Sequence, residues 1–94
     1  MRVQIKQPWE LAVMRANGRR LAEVGAMLRD AISAGVTTRD LDRMALDLIQ
    51  GMGAHPSFLN YAPAGMPPFP GTICASVNDV VVHGVPNDEP LVDG

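Results

Sequence analysis

The sequence predicts an α+β fold in which two helices precede a set of short strands. Apolar residues recur at helical spacing in two stretches of the first half, within 9–32 and 41–52. Glycine and proline are unevenly distributed, with three glycines and one proline in residues 1–50 but six and seven in residues 51–94. Between the turns of that second half, short apolar runs alternate or cluster as they do in strands.

Length and composition exclude several classes of protein. The chain has 94 residues, which is at most one small domain. It is 47% hydrophobic and 19% charged with a net charge of −2, unlike a disordered tail or a basic nucleic-acid-binding domain. Its single cysteine cannot form an internal disulfide. Because it has neither a membrane-length apolar run nor a signal-peptide core, we expect a soluble cytoplasmic protein without a membrane partner. Because its net charge is negative, we expect no nucleic-acid partner.

The first helix is expected to run from about Trp9 to Ile32. Pro8 suits the first helical turn, where its missing N–H is not needed. Gly35 suits the left-handed residue that follows a helix. The apolar positions that should share one face are Trp9, Leu11, Met14, Leu21, Val24, Leu28 and Ile32.

The second helix is expected to begin after Thr37, which would act as N-cap. Asp40, three residues later, would complete a capping box. Gly51 and Gly53 are expected to end the helix, and two helices joined by so short a link should pack as an antiparallel pair. The apolar face would consist of Leu41, Met44, Ala45, Leu48, Ile49 and Met52.

The second half is expected to form strands at 57–61, 72–77 and 80–82, the last of them fully buried. Residues 62–71 contain four prolines and two glycines and are therefore expected to form a loop. Asn78 and Asp79 are expected to form a tight turn, because Asn tolerates a positive φ.

Few side chains in this sequence offer catalytic chemistry. His83 ends an apolar run immediately before Gly84, where a strand would deliver a side chain to a site, but a hydrogen-bonded structural histidine is an equally open interpretation. His55 precedes a proline and is interpreted as a surface or capping residue. Cys74 has no histidine or cysteine at metal-ligand spacing, so it is interpreted as a small buried apolar residue. The residues alone leave the reaction open.

One long motif narrows the interpretation. The run FPGTICASVNDVVVHGVP at 69–86 resembles a segment of type I methionine aminopeptidases, in which S-[IV]-C-x-S-[IV]-N is followed by [DE]-V-V-x-H-G-[IV]-P. Similar stretches are GVTTRDLDRMA at 35–45, PSFLNY at 56–61 and LVDG at 91–94. The resemblance implies the pita-bread fold, an antiparallel sheet with helices on its outer face. This chain would supply the antiparallel helix pair and the first antiparallel strands.

The resemblance also implies an activity. The family consists of metallo-exopeptidases that remove the initiator methionine from nascent proteins by attack of a metal-activated hydroxide on the first peptide bond. Two divalent ions (Co, Mn, Fe or Zn) are held by two Asp, one His and two Glu, and the motif match places all five after residue 94. Residues 1–94 are thus expected to be the N-terminal portion of a single catalytic domain, without a bound metal and inactive alone. The implied partner is a nascent polypeptide that starts with Met, the ribosome is a further candidate partner, and the complete enzyme is expected to be a monomer.

The resemblance assigns one catalytic residue and part of a pocket. His83 matches a histidine that contacts the substrate near the scissile amide, where an imidazole can donate a hydrogen bond to a group that gains charge. Tyr61, Cys74, Phe58 and Phe69 match positions around the pocket for the methionine side chain, whose sulfur contacts aromatic rings favourably. Core packing is the alternative role for these four residues.

The match has a weaker extension and one departure. Asn78 matches an Asn near a monovalent-cation site, where its carbonyl oxygen would be used. Many family members have a second active-site histidine in a Gly-Tyr-His-Gly-[FY]-Pro segment, whereas here Tyr61 is followed by the proline-rich residues 62–68 without a histidine. This difference affects the expected pocket entrance and substrate preference. Two other functions stay open: a non-catalytic pita-bread interaction module and a dipeptidase of the same fold that acts on proline-containing peptides.

Overall fold

The computed structural model describes residues 2–94. Within them are two helices, α1 (Pro8–Ala31) and α2 (Thr38–Gly51). Both helices lie within about one residue of the ranges that the sequence predicts. Neither helix combines the length and apolar character that crossing a membrane requires.

The ends of α1 are set by local hydrogen bonds. The backbone N–H of Gln7 donates to the carboxylate of Glu10 at 2.7 Å, which is one half of a capping box. Pro8 occupies the first helical turn, as predicted. At the other end, the N–H of Ile32 donates to the Arg29 carbonyl at 3.2 Å. Gly35 then adopts a φ of +94°, which confirms the predicted left-handed residue in the link between the helices.

The start of α2 confirms the predicted capping box. Thr37 Oγ1 accepts the backbone N–H of Asp40 at 3.0 Å, and the Asp40 carboxylate accepts the backbone N–H of Thr37 at 3.1 Å. The Thr37 backbone N–H, followed by its side chain, holds the pKa of the Asp40 carboxyl below its ordinary value, and the nearby Arg43 acts in the same direction. Beyond Gly51, Gly53 turns the chain away with a φ of +74°.

The two helices pack as the expected antiparallel pair. A groove between them is lined by Leu21 and Val24 from the middle of α1 and by Ile49 and Met52 from the end of α2. The end of α2 therefore lies beside the middle of α1, so the two helices run in opposite directions. The core is small, and its buried apolar residues are Val24, Leu41 and Ala45.

Much of the predicted apolar face of α1 is left uncovered. Trp9 is 69% exposed and Leu21 is 67% exposed, so only Val24 of that helix is buried. The helical spacing predicted a face correctly, but the residues described here cover only part of it.

The predicted strands are not formed in residues 2–94. The segments 57–61, 72–77 and 80–82 contain no strand, and the one bridge pairs Thr37 with Pro90. The valine run is not buried either, since Val81 is 89% exposed and Val82 is 61% exposed. A strand needs a neighbour that receives its backbone N–H and C=O groups along its length. Asn60 and Ala75 each donate one N–H to a neighbouring segment, but these isolated bonds do not extend into a ladder within residues 2–94. The strand component of the α+β prediction is therefore not confirmed, and the prediction of a buried run at 80–82 is wrong for this structure.

The end of the chain returns to the beginning of α2. The backbone N–H of Gly35 donates to the Leu91 carbonyl at 2.8 Å, and the N–H of Leu91 donates to the Val36 carbonyl at 2.8 Å. This pairing closes a loop of more than fifty residues and brings the segment that contains Cys74 and His83 against α2.

Candidate functional site

Asp42 anchors the beginning of the segment that contains the candidate residues. Its Oδ1 atom accepts the backbone N–H of Thr72 at 2.7 Å and that of Ile73 at 2.8 Å. Gly71 passes so close to this helix that a Cβ atom there would lie 3.2 Å from Asp42 Oδ1 and 3.0 Å from the ring of Pro86. A half-buried carboxylate on α2 thus fixes the chain one residue before Cys74.

Thr38 anchors the other end of the same segment. The backbone N–H of Asn87 donates to Thr38 Oγ1 at 2.9 Å, and the Thr38 hydroxyl donates to the Asn87 carbonyl at 3.4 Å. The N–H of Arg39 reaches the same carbonyl at 3.0 Å. Thr38 is only 3% exposed. Residues 72 and 87 are therefore both bound to the first two turns of α2. His83 lies in the segment between them, residues 73–86, which we call the excursion.

The backbone around His83 has an unusual conformation. His83 has a φ of +56°, in the left-handed region that residues with a side chain seldom adopt. The following N–H, that of Gly84, donates to Ser76 Oγ at 3.0 Å, and the Gly84 carbonyl accepts the N–H of Ala75 at 2.8 Å. A Cβ atom at Gly84 would clash with the Ala75 carbonyl oxygen and would lie 2.7 Å from the carbonyl carbon. This close approach therefore requires glycine.

The tip of this excursion is a tight turn. Asn78 has a φ of +55°, and the N–H of Val80 donates to the Val77 carbonyl at 3.2 Å. The predicted turn at Asn78 and Asp79 is confirmed. The imidazole of His83 and the thiol of Cys74 are both exposed to solvent, so the interpretation of Cys74 as a buried apolar residue is wrong for this structure.

The three candidate aromatic residues form a second group. The N–H of Tyr61 donates to the Phe58 carbonyl at 2.9 Å, and the N–H of Phe69 donates to the Tyr61 carbonyl at 2.8 Å. Asn60, with a φ of +63°, turns the chain between them and donates its N–H to the Phe69 carbonyl at 2.9 Å. The proline-rich loop is thereby closed at its base. Phe58 and Tyr61 are more than half exposed, and Phe69 is half-buried.

In the part of the chain that the structure describes, the aromatic group and the segment that contains Cys74 and His83 share neither a hydrogen bond nor the lining of a groove. Within residues 2–94, no hydrogen bond joins the aromatic group to Cys74 or His83. A groove of about 650 Å³ lies between residues 75–85 and the returning segment 87–94, and Asn78 contributes to its lining. None of the side chains of Phe58, Tyr61, Phe69 or His83 lines that groove.

Sequence reasoning did not single out the residues that hold the excursion in place. Asp42 and Thr38 have no local signal of these contacts, because their partners lie 30 and 49 residues away along the chain. Ser76 likewise lies eight residues away from its partner Gly84. The one local signal was Gly84, because a glycine beside a histidine at the end of an apolar run is typical of a close backbone approach.

Comparison with known proteins identifies the family. The model of metallopeptidase family M24 matches residues 12–94. The chain belongs to this family. Relatives include a methionine aminopeptidase of Chlamydia muridarum, 42% identical over 90 residues, which covers 96% of this chain and 30% of the relative. Methionine aminopeptidase 1 of Bacillus subtilis is 42% identical over 89 residues, which covers 95% of this chain and 34% of the relative.

A solved structure agrees with the sequence comparison. The crystal structure of methionine aminopeptidase from Rickettsia prowazekii superimposes with a TM-score of 0.90 at 36% identity, covering 99% of this chain and 36% of that chain. The match confirms the expected similarity to type I methionine aminopeptidases and the pita-bread fold type, without confirming the strands. This chain spans about a third of the length of the relatives that it matches.

A metallopeptidase works with a divalent metal ion. Within residues 2–94, however, no three His, Cys, Asp or Glu side chains are arranged so that they could hold one. His55 lies outside the segment that contains Cys74 and His83, and Asp42 already accepts two backbone N–H groups. The described residues do not fit a metal, and none of them is assigned as a ligand.

Proposed function

We propose that this chain is part of a methionine aminopeptidase that removes the initiator methionine from nascent proteins in the cytoplasm. The observation that carries the proposal is the match along the whole chain, 36% identical at a TM-score of 0.90, to a methionine aminopeptidase structure. Relatives that are 42% identical to it over 90 and 89 aligned residues are also named methionine aminopeptidases. The substrate would be the Met-bearing N-terminus of a nascent polypeptide, with the ribosome as a site of encounter and a monomer as the working form.

The proposal gives residues 1–94 the N-terminal portion of one catalytic domain. The divalent ions, two of Co, Mn, Fe or Zn, would be held by residues outside 1–94, because the described residues do not fit a metal. The metal would supply an activated nucleophile when bound. The part of the reaction assigned to this chain is recognition of the methionine side chain and stabilisation of charge near the first peptide bond.

His83 is proposed as the catalytic residue of this portion. Its side chain is exposed, and its backbone is held by Gly84 and Ser76, so the imidazole is available to a bound peptide. An imidazole N–H can donate to the first carbonyl or amine of the substrate and stabilise charge that develops there. Such a donor is most effective when the protein fixes it before the substrate arrives.

Phe58, Tyr61 and Phe69, together with Cys74, are proposed to contact the methionine side chain. Backbone hydrogen bonds already hold the three aromatic residues in one group. Their exposed ring surface is suited to a flexible thioether, because sulfur contacts aromatic rings favourably. The proposed pocket would be completed when the aromatic group and Cys74 approach a common substrate.

The proposal is tested on a complete catalytic domain. In what we call the assembled enzyme, residues 1–94 replace the matching segment of the Rickettsia prowazekii methionine aminopeptidase. We expect the folded, metal-loaded assembled enzyme to release methionine from a Met-Ala-Ser peptide and to release little leucine from the matched Leu-Ala-Ser peptide. Residues 1–94 alone serve as the background and should release neither.

Two outcomes would contradict the proposal. A folded, metal-loaded assembled enzyme that releases no methionine would favour a non-catalytic interaction module. Preferential cleavage of a proline-containing dipeptide over Met-Ala-Ser would favour the dipeptidase.

A further inference from the structure

The left-handed conformation of His83 requires a cause. A histidine with a φ of +56° lies in a region that side chains disfavour, and such a residue persists only where its surroundings determine the backbone. In the stretch 75–85, the side chains of Val80, Val81 and Val82 are all exposed, so apolar packing around the histidine is weak. The conformation must therefore come from hydrogen bonds.

Two hydrogen bonds hold the residue that follows His83. The N–H of Gly84 donates to Ser76 Oγ at 3.0 Å, and the Gly84 carbonyl accepts the N–H of Ala75 at 2.8 Å. The Gly84 N–H belongs to the same planar peptide group as the His83 carbonyl. Fixing that N–H therefore fixes the orientation of the peptide plane that leaves His83 and restricts the angle ψ of the histidine.

Ser76 supplies the part of this arrangement that only a side chain can supply. The Ala75–Gly84 bond joins two backbone groups, whereas the Gly84 N–H has a side-chain hydroxyl as its acceptor. The Ser76 side chain reaches this donor across eight residues of sequence. Without it, the peptide group after His83 could rotate and hydrogen-bond to water.

We propose that Ser76 is a positioning residue that aims the imidazole of His83 by accepting the Gly84 N–H. Because ψ of His83 relates its Cα–Cβ bond to the peptide plane that Ser76 holds, the hydroxyl restricts where the imidazole lies when a substrate binds. This inference rests on the proposed function, since it requires that His83 contact the substrate.

The experiment measures Ser76 both alone and in combination with His83. Ser76→Ala, Ser76→Thr, His83→Ala and the double variant Ser76→Ala/His83→Ala are made in the assembled enzyme, and kcat and KM for a Met-Ala-Ser peptide are measured at full metal loading. Ser33→Ala is the matched control, because Ser33 is an exposed serine on the link between the helices. Amide hydrogen exchange at Gly84 is measured in the same proteins.

We expect Ser76→Ala to lower kcat by about tenfold, an effect smaller than loss of the imidazole itself because only its placement is disturbed. Ser76→Thr, which keeps the hydroxyl, should restore most of kcat, and Ser33→Ala should not change it. Exchange at Gly84 should be faster in Ser76→Ala than in Ser76→Thr. In the His83→Ala background, Ser76→Ala should cause no further loss, because a residue that acts only through another shows no additional effect once its target is removed.

The outcomes separate this inference from the proposed function. If His83→Ala lowers kcat but Ser76→Ala does not, or if Ser76→Ala lowers kcat equally in both backgrounds, the positioning role is wrong and the role of His83 stands. If His83→Ala has a normal kcat, the proposed catalytic role of His83 is wrong, and the positioning role of Ser76 is wrong as well.

Discussion

The carboxylate of Asp42 accepts the backbone N–H of Thr72 at 2.7 Å across 30 residues of sequence. The same oxygen accepts the N–H of Ile73 at 2.8 Å. One side chain on α2 thus satisfies two donors in a segment that forms no strand, and it does so directly before Cys74. The placement of the candidate residues depends on this contact more than on apolar packing, since the valines beyond it are exposed.

Asp42→Ala should release the beginning of the candidate segment. Two half-buried N–H groups would lose a charged acceptor, and hydrogen bonds to charged groups contribute about 1.5–3 kcal/mol each. We expect the free energy of unfolding to fall by about 3–6 kcal/mol, with much faster amide exchange at Thr72 and Ile73. Asp47→Ala, at an exposed site on the same helix, is the control. Unchanged protection at both amides in Asp42→Ala would show that the contact does not hold the segment.

Gly84→Ala tests the close approach of the chain beside His83. The added Cβ would lie on the Ala75 carbonyl, so the hydrogen bond between Ala75 and Gly84 must break or the segment must shift. Overpacking of this kind costs about 1–3 kcal/mol. Gly18→Ala is a matched control, because nothing lies within 4 Å of a Cβ there and alanine favours a helix interior by about 1 kcal/mol. Chemical denaturation should therefore show opposite signs for the two variants, and equal effects would contradict the proposed geometry.

Acid should weaken the capping box at the start of α2. The pKa of Asp40 is lowered below its ordinary value of 3.8, first by the Thr37 backbone N–H and then by the Thr37 side chain. A carboxyl with a lowered pKa in the folded state contributes stability that is present above its ordinary pKa and is lost as the pH falls through the lowered value. We expect the helical signal of the wild type to fall below about pH 4.

Asp40→Asn isolates that contribution. The amide keeps an acceptor oxygen but has no charge, so the stability difference between wild type and variant should be present at neutral pH and should shrink below pH 3.8. Circular dichroism during urea unfolding at each pH measures the difference, with Asp47→Asn as the control for charge removal on α2. A difference that stays constant from neutral pH to strong acid would rule out this contribution.

The extent to which the sequence predicted the structure depends on the distance between partners. Thr37 and Asp40 lie three residues apart, and the turn at Asn78 is equally local, so both were predictable from residue type and spacing. The contacts of Asp42 with Thr72 and of Thr38 with Asn87 were not, because nothing in a single sequence pairs residues 30 or 49 positions apart.

The strand predictions failed for a different physical reason. A β-branched run such as 80–82 indicates that a segment suits a sheet, but a sheet also needs a neighbouring chain to accept its hydrogen bonds. The described residues provide none, so the run remains exposed. For the candidate site, the sequence motif located His83, whereas its positive φ and the hydrogen bond from the Gly84 N–H to Ser76 Oγ became visible only in three dimensions.

Residues 1–94 alone should be unevenly stable. Val24, Leu41 and Ala45 are the buried apolar residues, and all three belong to the helix pair. Local stability follows buried apolar contacts, so hydrogen exchange should be slowest in α1 and α2 and fast throughout 77–83. Exposed valines in an extended segment also favour association between chains, so aggregation should rise with protein concentration. Slowest exchange in 77–83 would contradict this distribution.

His83→Ala in the assembled enzyme should lower kcat sharply while leaving metal content and melting temperature nearly unchanged. The imidazole is exposed, belongs to no metal-ligand cluster in residues 2–94 and makes no hydrogen bond there that its loss would break. If it donates to a group that gains charge during the reaction, its removal should cost about 2.7–4 kcal/mol, the range for donors of this kind. That cost corresponds to a loss of about a hundredfold to a thousandfold in kcat. A structural histidine would instead give a lower melting temperature with normal turnover by the folded protein, so metal stoichiometry, melting temperature and kcat measured together distinguish the two roles.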